Sequence, residues 1–247
     1  MAREAVKTKS IFETYDAESP MATEFRRLLV RAKRLAGEKP MHTVMLTSAR
    51  RGEGKTTAAT HLALTAALYG NRPVALVDMD LRRPRVHEVM DLPQRGGVSE
   101  ILRGQLNFEA ALKATPFANL QVLTSGRTHH SPSSLLDSPM TRALLEALKA
   151  RFDLTVVDAP PVVPVTDPMI LAPQLDATIL VVRAGEVPRA VVQRARQMLS
   201  DTGARILGAV VNNLDEVLPY YYDYQYYGYE PTNPVTSDPP GEGKESR

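Results

Sequence analysis

The chain has 247 residues, 43% hydrophobic and 23% charged, a make-up with ample apolar residues for one large α/β domain or two small ones. Thirty Lys and Arg against 28 Asp and Glu leave a formal charge of +2, so bulk charge indicates no nucleic-acid partner. Cysteine is absent, which excludes a disulfide scaffold, a thiolate metal site and a cysteine nucleophile. Apolar runs such as residues 177–182 are strand-sized, far short of the ~20 residues of a membrane span. No apolar N-terminal stretch reads as an export signal, so a soluble cytoplasmic protein is expected.

Residues 1–18 are polar and mixed in charge and read as a flexible arm. Ser19 and Pro20 then mark a helix start, with Ser as N-cap and Pro in the first turn. Met21, Phe25, Leu28, Leu29, Ala32 and Leu35 recur at helical spacing, Arg26, Arg27, Arg31, Lys33 and Arg34 cover the rest, and Gly37 ends the helix. Beyond it, strands are expected at residues 43–47, 74–78, 120–123, 154–158, 177–182 and 206–211. Helices are expected at 55–69, 98–103, 108–114, 140–151 and 189–200. Val-, Ile- and Leu-rich strands alternating with helices predict an α/β fold, a mostly parallel sheet with helices on both faces. In such a sheet ligands bind beyond the carboxyl ends of the strands. Residues 19–218 read as one domain. From Pro219 the composition changes: Tyr220, Tyr221, Tyr222, Tyr224, Tyr226, Tyr227 and Tyr229 are seven of the chain's nine tyrosines, and residues 231–247 read as disordered.

The first strand runs into Ala49-Arg50-Arg51-Gly52-Glu53-Gly54-Lys55-Thr56-Thr57, a P-loop with Ala in place of the usual first Gly, which places the chain among P-loop NTPases. Gly52 and Gly54 let backbone N–H groups turn toward phosphate oxygens, and the following helix N-terminus favours negative charge. Lys55 would reach the β- and γ-phosphates, and the Thr56 hydroxyl would be a magnesium ligand. The second strand ends in Asp78-Met79-Asp80-Leu81-Arg82, and the strand at 154–158 ends in Asp158-Ala159-Pro160-Pro161. Buried carboxylates need a cation, and nucleotide-bound magnesium supplies one. Three strand ends thus deliver Lys55, Asp78, Asp80 and Asp158 to one sheet edge. His129 and His130 lack the i, i+4 spacing of a helical metal pair and read as a solvated loop.

With these motifs in place, residues 19–229 resemble the bacterial tyrosine kinases (BY-kinases) of capsule and exopolysaccharide systems, which use a P-loop fold. The most specific element is four apolar residues followed by Asp-x-Asp-apolar-Arg, here Val74 to Arg82. Asp158-Ala159-Pro160-Pro161 matches the family's Asp-x-Pro-Pro, and Ser134-Leu135-Leu136 resembles its Leu-Leu segment. The resemblance implies ATP and Mg2+ as cofactors, with Thr56, Asp80 and Asp158 holding the metal partly through water. It implies that Asn212 lies where related ATPases contact adenine, and that the seven C-terminal tyrosines are autophosphorylated. Phosphoryl transfer needs positioning and charge neutralisation. Asp78 is taken as acceptor of the tyrosine proton, with Asp80 as runner-up, and Arg82 either stabilises transferred charge or anchors its loop. Implied partners are a membrane-embedded activator of the polysaccharide co-polymerase type, which would recruit the kinase to the inner face of the cell membrane, and a cognate phosphotyrosine phosphatase. A homo-oligomer, with a ring as one form, is implied too.

Two departures stand out. The family's Glu-x-x-Arg-x-x-Arg pattern is met by Glu24 and Arg27, but Val30 takes the third position. Partitioning and cell-division ATPases, the alternative reading, carry Lys and Gly where this chain has Arg50 and Arg51. A cargo-positioning ATPase predicts hydrolysis without phosphotyrosine and leaves the tyrosine cluster unexplained. An aromatic binding tail on a nucleotide-binding scaffold is the other alternative, and the tail's acidity opposes nucleic acid. Closely spaced tyrosines on a short tether favour transfer between neighbouring subunits.

Overall fold

The structure, a computed structural model, describes residues 11–38, 40–127 and 131–213. After the short helix α1 (Ile11–Thr14), helix α2 (Pro20–Ala36) starts where the Ser19 side chain accepts a hydrogen bond from the Ala22 N–H. That bond satisfies one of the helix's unpaired first-turn donors. Strand β1 (Thr43–Ser48) leads through the P-loop to α3 (Lys55–Gly70) and β2 (Val74–Asp78). Three short helices follow, α4 (Val86–Val89), α5 (Val98–Leu102) and α6 (Phe108–Ala111), then strands β3 (Lys113–Ala114) and β4 (Leu120–Leu123). Helices α7 (Pro132–Leu136) and α8 (Pro139–Arg151) lead to β5 (Leu154–Asp158). Helix α9 (Asp167–Leu171), β6 (Ala177–Arg183), α10 (Arg189–Ser200) and β7 (Ile206–Asn212) complete the described chain.

The seven strands form one sheet in the order β3-β4-β2-β5-β1-β6-β7, with every pair parallel except β3 with β4. Strands β1, β2 and β5 are buried along their whole length, because helices cover both faces. Alternation along each strand sorts its residues into two cores. Val44, Leu46, Leu76, Val156 and Ile179 pack with Leu62 of α3 and Leu29 of α2. Met45, Val77, Val157 and Leu180 pack with Leu144 and Leu148 of α8 and Leu199 of α10. Truncating a fully buried leucine here, such as Leu76 or Leu145, costs about 2–5 kcal/mol.

All six expected strands are present, and three run one residue further because their neighbours keep pairing, as Ser48 does with Val181 and Arg183 with Asn212. The helix expected at 108–114 stops at Ala111. Leu112 is extended, and Lys113 and Ala114 pair with β4 as an antiparallel edge. The flexible arm is corrected for residues 11–18: α1 packs against the body, Phe12 meets the Phe117 ring at 5.8 Å, and the Tyr15 hydroxyl hydrogen-bonds Thr65 Oγ1 at 2.8 Å. One compact unit ends at Asn212. Residues 1–10, His129 and His130, the seven C-terminal tyrosines and residues 231–247 lie outside the described residues.

Candidate active site

The P-loop occupies the carboxyl end of β1. Gly52 and Gly54 have φ of 82° and 87°, the left-handed region that favours glycine. A Cβ on Gly54 would sit 2.2 Å from the Asn212 amide nitrogen, so glycine is required for the close approach of β7 as well. The loop is braced from inside. Glu53, 2% exposed, accepts hydrogen bonds from the Arg50 N–H and, at 3.3 Å, from the Arg183 N–H at the end of β6. The Asn212 amide donates to the Glu53 carbonyl at 3.1 Å, bringing the end of β7 to the same loop. Ala49 is buried, while Arg50, Arg51 and Thr57 are exposed. Glu53, expected among nucleotide-binding residues, spends its carboxylate on the loop's own backbone and on β6.

The acidic groups arrive from β2 and β5. Asp78 and Asp158 are register partners on these adjacent strands, which fixes their carboxylates side by side at the sheet edge. Asp78 is fully buried and accepts from the Asp80 and Val86 N–H groups, both at 3.1 Å. Asp80 accepts from Lys55 Nζ at 2.9 Å and from the Arg83 N–H at 3.0 Å. Asp158 accepts from the Thr56 hydroxyl at 2.6 Å, and its other oxygen lies 3.5 Å from Lys55 Nζ. Lys55, Thr56, Asp78, Asp80 and Asp158 are therefore one cluster, as the three motifs predict.

Burial raises the Asp78 carboxyl well above the ordinary carboxylate range, with the neighbouring Asp158 pushing it further. Burial also raises Asp158, although Lys55 and Thr56 pull the other way. Burial of Lys55 opposes its charge, but Asp158 and Asp80 outweigh that and hold the ammonium above its usual range. Three carboxyl groups meet a single ammonium at this buried edge, an acidic excess that a divalent cation would offset. The Asp158 oxygen facing Lys55 has no hydrogen-bond partner among the described residues, so one acceptor remains for a cation or its water. No three acidic or His side chains among the described residues converge as a metal cage. Thr56, Asp80 and Asp158 are the residues that could hold a nucleotide-bound magnesium ion, partly through water.

Arg82 is turned elsewhere. Its guanidinium forms a two-pronged pair with Asp167, at 2.7 and 3.0 Å, and donates to Ser133 Oγ at 2.7 Å. Ser133 in turn donates to Asp167 at 2.6 Å. Asp167 is fully buried, and its bonds raise the Arg82 pKa. Of the two roles open for Arg82, the geometry supports the anchor. Asp167 and Ser133 went unrecognised in the sequence, where only Thr166-Asp167-Pro168 as a helix start was available as a signal.

A family model described as ParA, NUBPL iron-transfer P-loop NTPase, matches residues 39–220. Tyrosine-protein kinase YwqD of Bacillus subtilis (strain 168) is 31% identical over 89% of this chain and 92% of its own length. Tyrosine-protein kinase CpsD of Streptococcus pneumoniae is 34% identical over 84% of this chain and 91% of its own. The chain belongs to the bacterial tyrosine kinases. The solved kinase domain of the Escherichia coli tyrosine kinase ETK superposes with a TM-score of 0.79 at 27% identity, covering 85% of this chain and 82% of that one. The P-loop NTPase fold makes the phosphate loop a nucleotide site, and family membership makes this chain a protein-tyrosine kinase. Among the described residues no helix is long and apolar enough to cross a membrane.

Proposed function

We propose that the chain transfers the γ-phosphoryl group of ATP to Tyr220, Tyr221, Tyr222, Tyr224, Tyr226, Tyr227 and Tyr229 of a neighbouring copy. The observation that carries this reading is the cluster at the end of the P-loop, where Lys55 lies within 3.5 Å of both Asp80 and Asp158 and Thr56 is bonded to Asp158. The loop N–H groups and Lys55 bind and orient the β- and γ-phosphates. Magnesium, when bound, neutralises phosphate charge as the transfer proceeds. Thr56, Asp80 and Asp158 are its holders, and Asn212 flanks the loop on the side assigned to adenine. The phenolic oxygen gains the new P–O bond as the bond to the leaving ADP oxygen breaks. Asp78 takes up the phenolic proton: burial raises its carboxyl above the ordinary carboxylate range, which makes the carboxylate a stronger base. Asp80, 3% exposed, is the second candidate for that proton.

In this reading the kinase works at the inner face of the cell membrane, recruited and activated by the cytoplasmic segment of a membrane-embedded polysaccharide co-polymerase-type protein. A phosphotyrosine phosphatase reverses the modification, and the cycle regulates capsule or exopolysaccharide synthesis and export. Transfer between copies is tested by mixing two variants with magnesium ATP, a catalytically inactive Lys55→Met with its tyrosines intact and an active seven-fold Tyr→Phe variant that lacks acceptors. Phosphate on the Lys55→Met chain supports the reading; none there, with robust labelling of wild type at high dilution, restricts transfer to the same chain.

A further inference from the structure

The loops on the β2 and β4 side of the site carry an excess of arginine that the nucleotide chemistry does not use. Residues 81–97 and 124–127 hold five arginines, Arg82, Arg83, Arg85, Arg95 and Arg127, against two acids, Glu88 and Asp91. Two of the five are neutralised, Arg82 by Asp167 at 2.7 Å and Arg85 by Glu88 at 2.8 Å. Arg83, Arg95 and Arg127 are exposed, and no carboxylate lies within ion-pair distance of any of them among the described residues. Glu100, near Arg127 in the fold, is engaged by the Gly97 and Arg127 N–H groups and by Arg103.

The backbone fixes these three at the active edge. The Arg83 N–H donates to the Asp80 carboxylate itself, at 3.0 Å. The loops bearing Arg95 and Arg127 are stapled together, because the Gly126 N–H and the Thr124 hydroxyl both donate to the Gln94 carbonyl, at 3.1 and 2.9 Å. Neighbouring strands lie about 4.8 Å apart, so the ends of β4, β2 and β5 span only about 10 Å of this edge.

On the reading that the site phosphorylates tyrosine, we propose that Arg83, Arg95 and Arg127 form the acceptor-side rim and select tyrosines set among acidic residues, with the tail of a second copy as the principal substrate. Residues 215–230 of this chain contain four acids, Asp215, Glu216, Asp223 and Glu230, and no base, around all seven tyrosines. The charge complement is therefore present in the same sequence. Strand β7, after which the tail begins, lies five strand positions from β4 in the sheet. Unpaired guanidinium groups around a cleft raise encounter rates and weaken with salt.

The test uses the full-length kinase and two synthetic peptides, residues 215–230 and the same peptide with Asp→Asn and Glu→Gln throughout. The expected kcat/KM preference for the acidic peptide is about tenfold at low ionic strength, falling several-fold by 0.5 M salt. The triple variant Arg83→Ala, Arg95→Ala, Arg127→Ala should abolish that preference while the KM for ATP and the thermal midpoint stay unchanged. Equal use of the two peptides by wild type, or a preference surviving in the triple variant, overturns the rim. Loss of binding to phosphatidylglycerol vesicles in the triple variant, with peptide preference intact, also overturns it and makes these arginines a lipid contact. Absence of phosphotyrosine on either peptide and on the protein's own tail removes the kinase reading, and the rim with it.

Discussion

Replacing Glu53 with alanine exposes how far the P-loop depends on a carboxylate that never needs to touch nucleotide. Its two oxygens accept from Arg50 N and Arg183 N, and the residue is 2% exposed, so water cannot replace it. A buried donor left unpaired costs about 1–3 kcal/mol, so the two together predict a loss of about 2–6 kcal/mol for Glu53→Ala. Glu53→Gln keeps one acceptor oxygen and sets an NH2 group against the other donor, for an expected loss of about 1–3 kcal/mol. Urea unfolding with an unchanged slope reads both values. Because Asn212, proposed to flank adenine, donates to the carbonyl of this same residue, a loosened loop also shifts the end of β7, and the KM for ATP should rise more than kcat falls. A Glu53→Ala protein within about 0.5 kcal/mol of wild type, the range of ordinary surface changes, would refute the brace.

Other outcomes follow from the same geometry. Arg82→Ala and Asp167→Asn should each destabilise by about 1–2 kcal/mol, a value discounted for the partial exposure of Arg82, and the double variant should cost little more than either. Additive losses in that cycle would separate the two residues. Because burial raises both the Asp78 and Asp158 carboxyls, their protonation in the acidic range competes with a bound cation. Affinity for magnesium ATP should therefore tighten as pH rises through the acidic range toward 8, with proton release in calorimetry; proton uptake would contradict this. His61 is stacked on Phe25 at 5.6 Å and lies 5.7 Å from Tyr15, and burial lowers its pKa. Its neutral form thus contributes stability above the unfolded value of about 6.5, lost as pH falls through the lower folded value. His61→Leu should flatten the acid side of the stability profile below pH 6.5, as read by thermal unfolding.

The cluster of Lys55, Thr56, Asp78, Asp80 and Asp158 was legible because each residue lies at or in the loop just past a strand's carboxyl end, and parallel strands put those ends on one edge. The strands themselves were legible from their apolar runs, since full burial on both faces leaves little room for polar residues. What stayed hidden depends on contacts that no local pattern encodes. Asp167 reaches Arg82 across 85 positions of sequence. Glu53 sits among phosphate-binding residues, and only burial shows that its side chain turns inward. The two-residue strand at Lys113 is too short to show alternation, so its apolar neighbours read as helix. Helix α1 is one turn long, and Phe12 and Tyr15 are held by tertiary packing rather than by periodicity.

Phosphopeptide mapping of the purified protein after incubation with magnesium and labelled ATP, with and without the cytoplasmic segment of the proposed membrane activator, bears most directly on the assigned chemistry. Wild type should carry phosphotyrosine within residues 220–229, increased by the activator segment, and Lys55→Met should carry none. ATP turned over to ADP and free phosphate, with every tyrosine unmodified under both conditions, would contradict the assignment and leave a nucleotide hydrolase.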